Sequence, residues 1–276
     1  MKALIAGAGY VGAALARALI AGGHEVVVLR RSAAEPPPGA RAFRADLLAP
    51  GALDALPAAE LVFYTAAADE RSDAAYRRAY VEGLARLIER LARAAAPPRR
   101  LVFTSSTAVY GQSAGEWVDE ASPTEPADFG GRRLLEGEAL ALGAPFPGTV
   151  LRLGGIYGPG RTSLIERARA GVTGGPGYTN RIHRDDAAGA LAHLAKQPAP
   201  APVYVGVDCE PAPESEVLAW LARRLPAPAP PAPARSERAL RGNKRCRNAL
   251  LLAAGFRFRY PTYREGYQAL LDERDA

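Results

Sequence analysis

At 276 residues, 48% apolar and 23% charged, the chain has the composition of a soluble globular protein and the length for one large core, or for a domain with a small lobe. No apolar run reaches the ~18–20 residues that span a bilayer, and the chain opens on a core strand with no cleavable signal before it. Two cysteines, Cys209 and Cys246, make no disulfide framework, and His24, His183 and His193 form no ligand-like cluster; a cytoplasmic protein without a metal site or membrane partner is expected. The net charge is +6, and the densest basic stretch, Arg235 to Arg247, lacks interleaved aromatics, so it reads as a solvated face rather than a nucleic-acid patch.

The first thirty-one residues organise the rest. Lys2-Ala3-Leu4-Ile5-Ala6 is a short apolar run, suited to a central parallel strand. Gly7-Ala8-Gly9-Tyr10-Val11-Gly12 follows, and then Val11, Leu15, Ala18, Leu19 and Gly22 recur at helical spacing until Gly22-Gly23 stops the helix. Glu25 to Leu29 is a second β-branched run, ending in Arg30-Arg31. Strand, G-x-G-x-x-G, helix and strand in this order is a dinucleotide-binding fingerprint. Gly7 permits the tight turn, Gly12 lets helix and strand approach, and Gly9 admits a pyrophosphate to the backbone, with a positive φ as a further reason for glycine there. Tyr10 and Val11 open the helix, whose N–H groups and dipole face the phosphates.

The alternation continues. A strand is expected over 40–45, followed by Asp46-Leu47; another over 61–65, followed by Ala66-Ala67-Ala68; and a long helix from about Ala74 to Ala95, with Tyr80, Leu84, Leu87, Ile88 and Leu91 on one face. Strands over 100–105 and 149–153 flank a helix from about Arg132 to Leu142. Beyond 156 the pattern is irregular. Helices are expected over 162–170, 184–195, 214–225, 263–271 and from an Asn248 cap to Ala254, with a strand over 203–207 and a polyproline-type connector over 226–233. The expected fold is α/β, a doubly wound parallel sheet of Rossmann type over 1–160, with a small substrate lobe over 161–276 from which residues 181–207 return to the main domain. Ligands bind beyond the carboxyl ends of such strands, which places Gly7–Gly12, Arg30, Asp46, Thr65–Ala67, Ser105–Ser106 and Gly154–Tyr157 along one edge.

The end of the second strand bears on cofactor choice. An acidic residue is expected there to accept from the ribose 2′-OH of NAD, but the place holds Arg30 and Arg31, whose planar forks suit a 2′-phosphate. NADP is therefore favoured, with NAD still open; the alternative is a pair of solvated arginines at a strand end.

The chain resembles the extended short-chain dehydrogenase/reductases, the NAD(P)-dependent epimerase/dehydratase family. The resemblance rests on the glycine motif, Asp46-Leu47, Thr65-Ala66-Ala67, Tyr80-Val81-Glu82-Gly83, Ser105 to Gly111, Leu151 to Arg161, and Arg181 to Asp186. It implies an adenine contact at Asp46 and Leu47, a ribose and nicotinamide wall at Thr65, Ala66 and Ala67, and a nicotinamide contact around Leu153, Gly154 and on to Ile156, with Ser105 among the cofactor-binding residues. The family's chemistry uses Asn, Ser and a Tyr-x-x-x-Lys pair, in which the tyrosine exchanges a proton and the lysine lowers its pKa. Ser106 matches the serine. Tyr80 stands at the asparagine position, and Phe129-Gly130-Gly131-Arg132-Arg133 replaces the Tyr-x-x-x-Lys, with no tyrosine between Tyr110 and Tyr157 and no lysine between Lys2 and Lys196. The glycine loop is also one residue tighter than the usual G-x-x-G-x-x-G. These departures resemble an atypical subgroup that keeps the cofactor without the relay.

Two classes of function follow. One is an oxidoreductase or epimerase/dehydratase acting on a small, sugar-nucleotide-like molecule, with Ser106, Arg133 and Tyr80 assigned to catalysis and Tyr110, Tyr157, Arg161 and His183 to substrate. Tyr110 and Tyr157 lie in motifs that often serve packing, and a lone histidine is more often structural. The other is a catalytically silent NADP(H) sensor. A homodimer is compatible with either.

Overall fold

The computed structural model describes residues 1–226 and 242–275. The proline-rich connector beyond Pro226, and Arg235, Arg238 and Arg241 of the basic stretch, lie outside the described residues. Seven strands form one parallel sheet: β1 (Lys2–Ala6), β2 (Glu25–Arg30), β3 (Arg41–Arg44), β4 (Leu61–Tyr64), β5 (Arg100–Ser106), β6 (Gly148–Leu153) and β7 (Val203–Gly206). Their order is β7-β6-β5-β4-β1-β2-β3, the doubly wound arrangement expected of a Rossmann fold. Chain order reverses beside β1, which pairs in parallel with β2 on one side (Ala6↔Leu29) and with β4 on the other (Ala6↔Tyr64). The inner strands are continuous apolar runs because both faces are covered: Leu4, Ile5, Val62, Phe63 and Leu101 to Phe103 are fully buried. The edge strand β3, Arg-Ala-Phe-Arg, exposes Arg41, Ala42 and Arg44, and its two charged side chains discourage edge-to-edge pairing.

Two compact units are distinguishable. The first comprises residues 1–109, 126–152 and 187–204; the second comprises 110–125, 153–186 and 205–276.

In the first unit, the helix Tyr10–Ala21 ends at Gly22, as the Gly22-Gly23 pair indicates. The long helix expected from Ala74 to Ala95 is instead three pieces. Ser72 accepts from Ala75 N (3.1 Å) and starts a turn over Asp73–Tyr76, a π-helical stretch covers Arg77–Glu82, and an α-helix runs over Gly83–Ala92. The wide turn has a visible cause: the hydroxyl of Tyr64, fully buried at the end of β4, donates to the carbonyl of Ala79 inside it. Gly83 completes the fit, because a Cβ there would lie 2.8 Å from the Tyr64 hydroxyl oxygen. Leu84, Leu87 and Leu91 form the buried face as their spacing requires, while Tyr80 and Ile88 are half-buried. The helix expected from Arg132 begins at Phe129, where Asp128 caps it by accepting from Gly131 N (3.0 Å).

The second unit has its own core, in which helices Ser163–Arg169, Glu214–Ala222 and Tyr263–Asp275 bury Ile165, Val217, Leu221, Tyr263 and Tyr267. Short strand pairs tie its segments: Gly155–Tyr157 with Arg181–His183, Glu116–Val118 with Lys244–Cys246, and Tyr178–Thr179 with Ala212–Pro213. Asn248 precedes the helix Ala249–Ala253 but does not cap it through its side chain, which donates instead to Val207 O (2.9 Å).

Candidate functional site

The first unit builds a cradle where β1 runs into its helix. Gly7 adopts φ 101°, and a Cβ on it would fall 2.4 Å from Ala66 N, so the residue is glycine for both reasons. A Cβ on Gly12 would lie 2.0 Å from Gly7 O and 2.7 Å from Thr65 Oγ1: the close approach is to the loop itself and to the end of β4. Thr65 Oγ1 donates to Gly7 O (2.5 Å) and Thr65 N to Ala6 O (2.8 Å), locking the loop to the fourth strand. Gly9 is different. Its φ is −74°, so no positive φ requires glycine there, and a Cβ would meet nothing within 4 Å. The space above Gly9 is open, no side chain caps the following helix, and its first turn holds no acidic residue. Tyr10 and Val11 therefore start a helix whose first N–H groups and dipole suit an anion, and the cradle fits the pyrophosphate of a dinucleotide.

Around the cradle, Arg30 closes β2. Its Nε and one terminal nitrogen donate to Ser32 Oγ (3.1 and 2.7 Å), and the other terminal nitrogen to Glu35 O (3.0 Å). Arg31 grips Asp69 through both carboxylate oxygens (2.7 and 2.6 Å) in an exposed pair. A third arginine joins them, one that sequence reasoning missed: Arg44 pairs with Arg30 in the β2–β3 register and donates through Nε to Arg31 O (3.4 Å). Only pairing of the edge strand reveals it. Asp46 turns the chain after β3, its Oδ1 accepting from Leu48 N (2.9 Å), and Leu47 packs toward Gly83. Ala66 and Ala67 continue from Thr65 at the end of β4, with Ala66 backing Gly7.

Ser105 and Ser106 are adjacent on β5. Ser105 is buried and donates to Glu138 Oε1 (2.6 Å). Glu138 also holds Arg152 (2.7 Å) in an ion pair whose side chains are 5% and 7% exposed, so Ser105 belongs to a buried triad whose members no motif links. Ser106 is half-buried, its Oγ accepting from Ala108 N (3.2 Å) as the chain enters the turn Thr107–Val109.

The positions of the proton relay are filled by other interactions. Phe129 meets Tyr76 edge-on (centroids 5.4 Å, 87°), and Tyr76 leans on Tyr80 (5.2 Å). All three rings are half-buried. Gly130 and Gly131 leave room for this contact: a Cβ on Gly130 would lie 3.1 Å from the Tyr76 ring, and one on Gly131 2.6 Å from Ala108 O. The Tyr80 phenol is hydrogen-bonded to the Ala68 backbone, and burial raises its pKa. Arg133 is clasped by Asp73 (2.8 and 2.9 Å) and Glu136 (2.7 Å), which hold its guanidinium more firmly protonated still. No group at 129 or 133 can exchange a proton near neutral pH.

The remaining candidates lie in the second unit. The Tyr110 hydroxyl is spent on Asp119 O (2.7 Å). Tyr157 is buried, stacked on Tyr267 (4.3 Å, 23°) and edge-on to His183 (5.4 Å), and its hydroxyl has no hydrogen-bond partner among the described residues. His183 is 2% exposed; its Nδ1 accepts from Asp185 N (3.2 Å), and burial pushes its pKa down to about 4, so the ring is neutral. Arg161 is exposed beside Gly158, Leu153 is buried, and Gly154 N donates to Gly206 O (3.0 Å). Asp208, not anticipated from sequence, is 1% exposed with Oδ2 unpartnered among the described residues, and burial raises its pKa to about 8. Among the described residues no group of His, Cys, Asp and Glu is arranged to hold a metal, and no helix is long and apolar enough to cross a membrane.

Comparison with known proteins adds context. The family described as NAD dependent epimerase/dehydratase matches residues 3–202. A 3-diazoavenalumate denitrifying reductase of a Streptomyces species is 37% identical over 260 residues, 83% of each chain. A Methylobacillus flagellatus structure, solved as a provisional NAD-dependent epimerase/dehydratase, superposes with TM-score 0.82 at 40% identity, covering 100% of this chain and 99% of that one. MoeE5, solved with UDP-glucose and NAD, superposes with TM-score 0.81 at 26% identity, covering 100% and 99%.

Proposed function

We propose, for a chain that belongs to the NAD dependent epimerase/dehydratase family, that it is an NADPH-preferring reductase of a small electrophile whose reduction needs no proton from a Tyr–Lys pair. The observation that carries this reading is the Phe129–Tyr76 contact, with Arg133 clasped by Asp73, at the relay positions. Reducing a carbonyl or epimerising a sugar hydroxyl moves a proton together with the hydride, and general acid–base help in such steps is worth roughly 10²–10⁴-fold. When bound, the nicotinamide supplies a hydride, and replacing dinitrogen on carbon needs nothing more: ArN₂⁺ + NADPH → ArH + N₂ + NADP⁺. The reductase relative's name denotes the loss of nitrogen from a diazo compound, and an aryl diazonium is the substrate class that best suits a site without an acid.

The chain's own residues would do the following. Gly9 admits the pyrophosphate in the loop that Gly7 and Gly12 shape, while Arg30, Arg31 and Arg44 gather guanidinium charge where a 2′-phosphate would sit. Thr65, Ala66 and Ala67 wall the ribose and nicotinamide. Tyr76, Tyr80 and Phe129 offer half-buried ring surface that excludes water from a reactive cation, and Ser106 supplies a hydroxyl for orientation.

Isotope tracing tests the reading. With NADPH deuterated at C4, the arene from a benzenediazonium should carry deuterium, and in D₂O with unlabelled NADPH it should not, both measured against enzyme-free controls. Brisk epimerisation of UDP-glucose, or deuterium entering from solvent, would overturn it. Tight NADPH binding with no turnover of any electrophile would favour a sensing role instead.

A further inference from the structure

Away from the cradle, the second unit carries a cluster that the proposed reaction does not use. Glu116–Val118 and Lys244–Cys246 pair in parallel, with Trp117 opposite Arg245. Trp117 keeps 45% of its surface exposed, whereas the other tryptophan, Trp220, keeps 4%. The Arg245 guanidinium lies 4.9 Å from the centroid of Trp117 and 4.9 Å from that of Tyr178. Arg247, itself exposed, lies 5.0 Å from the same Trp117 ring.

Neither guanidinium has a carboxylate partner among the described residues. Arg245 Nε donates to Gly115 O (2.8 Å), leaving its terminal nitrogens uncommitted to any anion. The neighbouring Glu116 turns its carboxylate back to Ala114 N (2.8 Å). The buried Lys244 donates to Tyr110 O (3.1 Å). Exposed cation–π contacts are individually weak, a small return for holding two like charges beside one indole. An oxyanion against either guanidinium would offset that charge, and a flat ring would cover apolar surface that water now wets.

We propose that Trp117, Tyr178, Arg245 and Arg247 form a binding site for a planar aromatic carboxylate: the ring packs on the indole or phenol, and the carboxylate takes charge-assisted hydrogen bonds from the guanidiniums. A nucleotide presents the same shared chemistry, a flat ring with an oxyanion, so the test includes one. The site stands independently of the hydride reading, since it needs neither cofactor nor turnover.

The chain has two tryptophans, so its nitrogen-15 spectrum has two indole N–H signals, and Trp117→Phe assigns them. Titration with 2-naphthoate should shift the Trp117 signal saturably and leave Trp220 in place. Cyclohexanecarboxylate and 2-naphthol should each bind at least about tenfold more weakly, since one lacks the ring and the other the charge. Arg247→Gln changes an exposed side chain whose guanidinium lies against the Trp117 ring, so the fold should survive; naphthoate affinity should fall about tenfold, and Arg245→Gln should do the same. Equal binding of the saturated acid, shifts of both indoles, indifference to both arginine variants, or UMP binding tighter than naphthoate would each overturn the assignment.

Discussion

Gly9 and Gly12 lie three residues apart in one glycine motif, the first at the helix N-cap and the second inside its first turn, yet substitution should separate binding from stability. Gly9 faces open space at φ −74°, so Gly9→Val introduces no clash and loses only a favourable residue at the helix start, a cost within about 1 kcal/mol. For a chain of this size that is a fall in Tm of about 2–4 °C. The new side chain fills the space a pyrophosphate would take, costing two or more charge-assisted hydrogen bonds of about 1.5–3 kcal/mol each, roughly 10²–10⁴-fold in affinity. Gly12→Ala should do the reverse. Its Cβ would sit 2.0 Å from Gly7 O, a backbone atom that cannot swing aside, so overpacking of about 1–3 kcal/mol or more should lower Tm by about 2–12 °C. Thermal melts and calorimetric NADPH titrations of both variants read the two quantities separately. A folded Gly9→Val protein that keeps wild-type affinity would show that the phosphates bind elsewhere. An unchanged melt for Gly12→Ala would refute the packing argument.

Arg30→Asp should lower NADPH affinity by about tenfold or more and leave NADH almost unchanged, because only NADPH has a ribose 2′-phosphate for the guanidinium; competitive titration of both nucleotides checks this. Phe129→Tyr should not confer UDP-sugar epimerisation, since Arg133 stays protonated and tied to Asp73; a coupled epimerase assay that detects turnover would contradict it. Arg152→Met should cost about 3–5 kcal/mol, because it leaves the Glu138 carboxylate buried and unpaired, and denaturant unfolding measures it. Asp208 holds its proton more tightly folded, with pKa raised to about 8 by burial, than unfolded near 3.9. Its contribution to stability is therefore complete below about pH 4 and is lost as pH rises through 8. Asp208→Asn should flatten the decline in Tm between those values, and an unchanged slope would exclude Asp208 as its source.

The central sheet was legible because burial on both faces writes each strand as an apolar run, and the glycine spacing needed only the strand and helix around it. The placement of candidate residues was legible where they follow strand ends in order, as Thr65 and Arg30 do. It was not where a partner strand decides: Arg44 becomes a neighbour of Arg30 only through the β2–β3 register. Adjacent serines on β5 take different partners, and the one claimed by Glu138 depends on a helix and on Arg152, distant in sequence. The helix beginning at Phe129 was hidden by two glycines, poor helix formers that tolerate the first turn because Asp128 caps it and Tyr76 and Pro126 leave no room for side chains. The two- and three-residue strands of the second unit are too short for any periodicity to show.

The wide turn at Arg77–Glu82 has a rotational meaning. Successive residues of an α-helix step about 100° around its axis, so one extra residue accommodated in a π turn swings everything before it by roughly that angle relative to everything after. Tyr76 reaches Phe129 from the upstream side of this offset, while Leu84, Leu87 and Leu91 meet the core from the downstream side. A one-residue deletion within 77–82 would thus act as a crank: with the leucines anchored, the Tyr76 ring would turn away from Phe129 and the mouth of the neighbouring helix would stand uncovered. Tyr64 acts as the pawl holding the crank in place, and Tyr64→Phe, which keeps the ring and removes only its hydroxyl, would let the turn slip without altering its length.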